Sequence, residues 1–164
     1  MKNALLIVLT LLIQRALGAP GGPEWSGLVL LPMVWIAGSA VLDAGRRWIW
    51  IALVIGISWD LLLEPIIGPG GIAWSASALV VTGLASVVAD RSFKAWFAFG
   101  AVGTLVVVVV QRLVLLPLGI DAGWRWIDLG LTVLATAAWC GAVGWIGSLD
   151  LATRWRAYRA RKLR

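Results

Sequence analysis

Residues 56–71 read GISWDLLLEPIIGPGG. The run sets two carboxylates, Asp60 and Glu64, one helical turn apart in an otherwise apolar segment. It then breaks into two prolines and three glycines: Pro65, Gly68, Pro69, Gly70 and Gly71. No helix continues through that break, because Pro69 has no N–H to donate and the glycines admit positive φ. The spacing predicts a helix ending in a tight turn or short re-entrant dip, with a second helix opening behind it. Irregular backbone at membrane depth needs partners for its freed polar groups, and the nearby carboxylates are candidates.

The surrounding composition decides what kind of helices these are. Of 164 residues, 61% are hydrophobic and only 13% charged, a balance that leaves too little polar surface to cover a water-soluble domain. The expected class is an all-α integral membrane protein with six transmembrane helices in a compact bundle. Apolar runs near the ~20 residues needed to cross a bilayer fall at 3–18, 25–42, 47–67, 71–89, 94–118 and 123–147. These runs are continuous rather than alternating, which excludes barrel strands. Residues 1–150 thus form one transmembrane domain and residues 151–164 a basic tail.

Lysine and arginine set the orientation. Lys2, the pair Arg46 and Arg47, the pair Arg91 and Lys94, and the C-terminal cluster all fall on one side of a six-span chain. Glu24, Glu64 and Asp121 fall on the other, so the positive-inside rule puts both termini in the cytoplasm. Six of the fourteen basic residues occupy the last eleven positions, RWRAYRARKLR. Beside a membrane domain this cluster reads as a tail for anionic lipid, not for nucleic acid. The first nineteen residues, MKNALLIVLTLLIQRALGA, share features with a secretory signal peptide, but Gln14 and Arg15 make a poor cleavage region. The first span is expected to be retained.

The chain has no histidine and a single cysteine, Cys140, which excludes a histidine-ligated metal, a histidine-based triad and a disulfide framework. No cofactor, metal or catalytic residue is expected, and an enzyme is not the reading. Counting 1.5 Å per residue from Arg47 puts Asp60 about 20 Å and Glu64 about 25 Å along their helix. Arg15, Arg112, Arg125 and Asp128 fall at similar depth, so some of these six side chains are expected to form a partly buried polar network near the outer face.

Two stripes at four-residue steps and one row of hydroxyls mark three candidate packing faces. Ala52, Gly56, Asp60 and Glu64 share one stripe of the third helix. Ser75, Thr82 and Ser86 mark one face of the fourth. Asp128, Thr132, Thr136, Cys140 and Gly144 mark one face of the sixth.

Taken together, Gly56, Asp60 and Gly68 within GISWDLLLEPIIG, the basic connections Arg46–Arg47 and Arg91–Lys94, and Gln14 closing the first span resemble the bacterial rod shape-determining protein MreD family over essentially the whole chain. The family more often has Pro-Leu-Gly where this chain has Gly70 and Gly71, and a small residue where Glu64 stands. The resemblance implies a bundle like the S components of energy-coupling-factor transporters. It also implies a non-catalytic scaffold in the bacterial inner membrane, part of the Rod elongation machinery that shapes the cell. Its partners would be MreC, then the peptidoglycan synthase RodA with its penicillin-binding transpeptidase, and indirectly MreB. Self-association is left open. The alternative is the substrate-binding subunit of a small-molecule transporter. It is disfavoured because the first helix is leucine-rich and lacks the alanine stripe such subunits dock with.

Overall fold

Proline, glycine and charge divide the apolar sequence into six helices among the described residues. The computed structural model describes residues 2–17, 28–42, 47–64, 66–88, 92–119 and 126–148. The helices are α1 (Lys2–Leu17), α2 (Met33–Leu42), α3 (Arg47–Leu63), α4 (Pro69–Val87), α5 (Phe93–Leu115) and α6 (Trp126–Ser148). A 3-10 turn over Leu116–Leu118 closes α5, with Pro117 inside it and Gly119 beyond it at φ +70°. No strand occurs among the described residues.

Three of these helical segments are long and apolar enough to cross a bilayer: Pro69–Val87, Phe93–Leu118 and Trp126–Ser148. Two sequence expectations need correction. The run 25–42 is not one helix: residues 28–32 are non-helical apart from a single 3-10 position, and α2 has ten residues. Pro32 stands immediately before it, and a proline admits no helical bond from its own nitrogen. The run 47–67 also ends early, at Leu63, because the Pro–Gly segment begins there. The first lies beside the middle of α6, where Leu30 meets Thr136, and the second where α3 gives way to α4.

Short α2 sits at the centre. Eight of its ten residues are buried, and it packs on α3, α4, α5 and α6. A helix apolar on every side has no face to give to solvent and goes inside. Consecutive helices pair α3 with α4, α4 with α5 and α5 with α6, while α1 lies against α3. The outside of the bundle is apolar too. Leu5, Val54, Leu61, Ile127 and Leu134 are all more than half exposed, a surface suited to lipid rather than water.

Apolar burial drives little association in lipid, so close approach falls to small residues. Gly103 is where α2, α4 and α5 meet: a Cβ there would stand 2.8 Å from Met33 Sδ and 3.0 Å from Ser77 Oγ. The Ser77 hydroxyl donates to the Gly103 carbonyl at 2.9 Å. Gly100 faces Cys140, with a would-be Cβ 2.8 Å from the cysteine Cβ. The Trp96 ring fills the space between Gly38 of α2 and Gly144 of α6, so that a methyl group at either glycine would overlap it.

Overpacking of this kind costs about 1–3 kcal/mol. Gly144→Ala is therefore expected to lower the thermal midpoint of the detergent-solubilised protein. Gly83→Ala, which adds its methyl to open space, should leave the midpoint unchanged or raise it slightly.

Candidate functional site

At the end of α3 the carboxylate of Asp60 is completely buried, the one buried acidic or basic side chain among the described residues. Its Oδ2 accepts the Gly68 N–H at 2.7 Å, and both its oxygens accept the Gly70 N–H at 3.0 Å. These donors belong to the N-cap and second residue of α4. The first N–H groups of a helix have no partner within it and carry the positive end of its dipole. Pro69, at the first helical position, removes one such donor from the problem. Asp60 thus fills the anion position that α4 creates, and it does so from the preceding helix.

The magnitudes favour this arrangement. A carboxylate at the bilayer centre costs about 2.5–3.5 kcal/mol on insertion scales, and each hydrogen bond to a charged group returns about 1.5–3 kcal/mol. Two backbone donors plus the helix dipole offset the cost of burial without a cation.

Each glycine around the carboxylate has its own reason. Gly68 has φ +126°, a conformation that L side chains rarely adopt. At Gly70 a Cβ would overlap Asp60 Oδ1 and lie 2.9 Å from the Gly56 carbonyl oxygen. At Gly56 a Cβ would lie 2.5 Å from the Gly70 carbonyl oxygen. The Gly56–Gly70 contact therefore brings the start of α4 against α3 closely enough for a side chain as short as aspartate to reach its N–H groups. Gly71 is less constrained, its nearest neighbour being the flexible Ile57 side chain at 3.1 Å. One face lower, the Trp59 and Trp74 rings pack with centroids 5.5 Å apart.

A second polar arrangement supports the non-helical backbone before α2. Leu31 N–H donates to Gln14 Oε1 at 3.0 Å, and Leu30 N–H donates to Thr136 Oγ1 at 3.0 Å. The Trp139 indole donates to the Leu31 carbonyl at 3.4 Å. Gln14 and Thr136 are both buried. Alongside them, Trp35 Nε1 donates to Thr10 Oγ1 at 3.1 Å, and that hydroxyl donates to the Ile7 carbonyl at 2.7 Å. Side chains of α1 and α6 thus supply what a continuous helix would have supplied from its own backbone.

The other residues expected at a polar network are placed differently. Glu64 is exposed, and its Oε1 accepts from Gln111 Nε2 at 3.4 Å. Arg15 is exposed, Arg112 and Asp128 are half-buried, and Arg125 and Pro65 lie outside the described residues. Asp60 itself accepts from the Gly68 and Gly70 N–H groups of the turn. Of the packing residues, Ala52, Gly56, Thr136 and Gly144 are buried, whereas Thr132 is half-buried and bonds the Asp128 carbonyl of its own helix at 2.8 Å.

The face chosen on α4 needs correction. Ser75, Thr82 and Ser86 donate to Gly71, Ala78 and Gly83 of their own helix. The buried face is instead Gly70, Trp74, Ser77 and Val81. The steps of four, three and four between those residues are the helical period in the sequence, whereas nothing local to Gln14 marks Leu31 as its partner.

A cavity of about 310 Å³ lies among α2, α3, α5 and α6, walled by Trp35, Trp48, Trp96 and Trp139. Its hydroxyl, Ser39, already donates to the Ile36 carbonyl at 2.7 Å. No protein-family model, curated protein or solved structure matches this chain.

Asp60→Asn places an amide donor against two N–H donors and is expected to lower folded yield sharply, by about 2–3 kcal/mol of stability. Glu64→Gln should be close to neutral, as read by monodisperse yield on gel filtration. Gln14→Leu and Thr136→Val each leave one buried N–H unpaired and should each cost about 1–3 kcal/mol in thermal stability.

Proposed function

We propose that this protein is a non-catalytic membrane scaffold of the bacterial cell-elongation machinery. In this reading it is a six-span bundle of the inner membrane with both termini in the cytoplasm. It binds MreC through that protein's single transmembrane helix and so helps to organise RodA, its transpeptidase and, indirectly, MreB in peptidoglycan synthesis. One observation carries the proposal. Gly56, Asp60 and Gly68, the residues that give the chain its likeness to the MreD family, form a single built unit with the start of α4. A carboxylate held by two backbone N–H groups of its own chain is committed to structure and is poorly placed for general acid or base work, which needs a proton partner in a cleft.

The transporter reading requires a cavity with convergent polar groups for its substrate. The 310 Å³ cavity is walled largely by tryptophan and aliphatic side chains, and it lies away from the Asp60 turn. That lining supports the scaffold over the transporter subunit.

Co-expression with the MreC homologue of the same genome tests the choice. Affinity purification of this chain from solubilised membranes should bring down MreC. Recovery of an ATPase module, or of a retained vitamin identified by mass spectrometry, would replace the scaffold with the transporter subunit.

A further inference from the structure

The bundle has a second cavity, between α1 and α3, of about 500 Å³. Its walls are Ile7 and Val8 of α1 and Trp50, Val54 and Ile55 of α3, and Arg47 stands at the end of α3 where the groove begins. Arg47, Trp50, Val8 and Val54 are exposed. We propose that this groove is a binding site for one anionic phospholipid, whose acyl chain lies along the apolar walls and whose phosphate meets Arg47.

Three observations favour that occupant. The groove is graded from charged to apolar in the direction of α3, the same order as headgroup and chain in a lipid, and Trp50 lies one turn from the charged end, where indole rings prefer the headgroup region. Along α3 the lining runs from Arg47 to Ile55, about 12 Å at 1.5 Å per residue. A crossing helix would need about 30 Å of continuous surface, so the groove matches part of an acyl chain better than a partner helix. Finally, Arg47 and Lys94, in the first turns of α3 and α5, bring positive charge to the start of these helices. The guanidinium has five donors, enough to hold a phosphate alongside a bond within the protein. The volume also falls in the ~300–1,000 Å³ range of small-molecule sites. The site lies away from the Asp60 turn and does not depend on the scaffold reading.

The test is native mass spectrometry of the purified protein with phosphatidylglycerol or phosphatidylcholine of matched chains. The wild type should retain phosphatidylglycerol in preference. Arg47→Gln should lose about fivefold of that binding, the equivalent of ~1 kcal/mol for one basic residue at an anionic headgroup, and leave phosphatidylcholine unchanged. Arg47→Lys, which keeps the charge, should keep the preference. Lys94→Gln, at the same end but on another cavity, should also keep it. Equal losses for Arg47→Gln and Lys94→Gln would overturn the site in favour of diffuse charge. No loss for Arg47→Gln would overturn it outright. Disulfide-linked dimers of Val54→Cys in native membranes would assign the groove to a second copy instead.

Discussion

The contact between the Asp60 carboxylate and the first N–H groups of α4 is the constraint on which the rest of the bundle depends. It joins two helices across a Pro–Gly turn whose backbone is not helical. A helix start carries unpaired donors and a positive dipole, and a fully buried aspartate carries a negative charge that needs partners. Either alone is unfavourable, and together they cancel. The cancellation needs the α3 and α4 backbones to approach closely, which is why Gly56 and Gly70 face one another and why a methyl group at either would separate the pair.

The lead into α2 solves the same problem with neutral groups. Its non-helical backbone is held by Gln14 and Thr136, which come from the first and last helices. Both interruptions are held by polar contacts between side chains and backbone. Where α2 ends, packing takes over, with the Trp96 ring set between Gly38 and Gly144. Short α2 runs from the polar contacts to this packing, entering beside Thr136 and ending near Trp96, buried along most of its length.

Much of this was legible in the sequence, though not evenly. The apolar runs located all six helices, and the break after Leu63 followed from Pro65 through Gly71 whatever the surroundings. The small-residue stripes at Ala52 and Gly56, and at Thr136, Cys140 and Gly144, correctly marked buried faces. The start of α2 was misread because a hydrophobic run does not reveal whether its backbone is helical. Pro32 was the local sign. On α4 the hydroxyl pattern of Ser75, Thr82 and Ser86 misled because such side chains in a helix readily bond the carbonyl one turn back and then recognise nothing else.

Composition and spacing by themselves determined that the chain is helical, that it is built for lipid, and that a turn follows Asp60, because those properties depend on local chemistry: apolar length, missing N–H groups and permitted φ. The partner of Asp60 was decided only by the tertiary structure. Three cations, Arg15, Arg112 and Arg125, were near enough in depth to be candidates, and depth along a helix says nothing about which groups converge. The structure gives Asp60 the backbone of Gly68 and Gly70, because the Gly56–Gly70 contact puts those donors 2.7–3.0 Å from a short side chain.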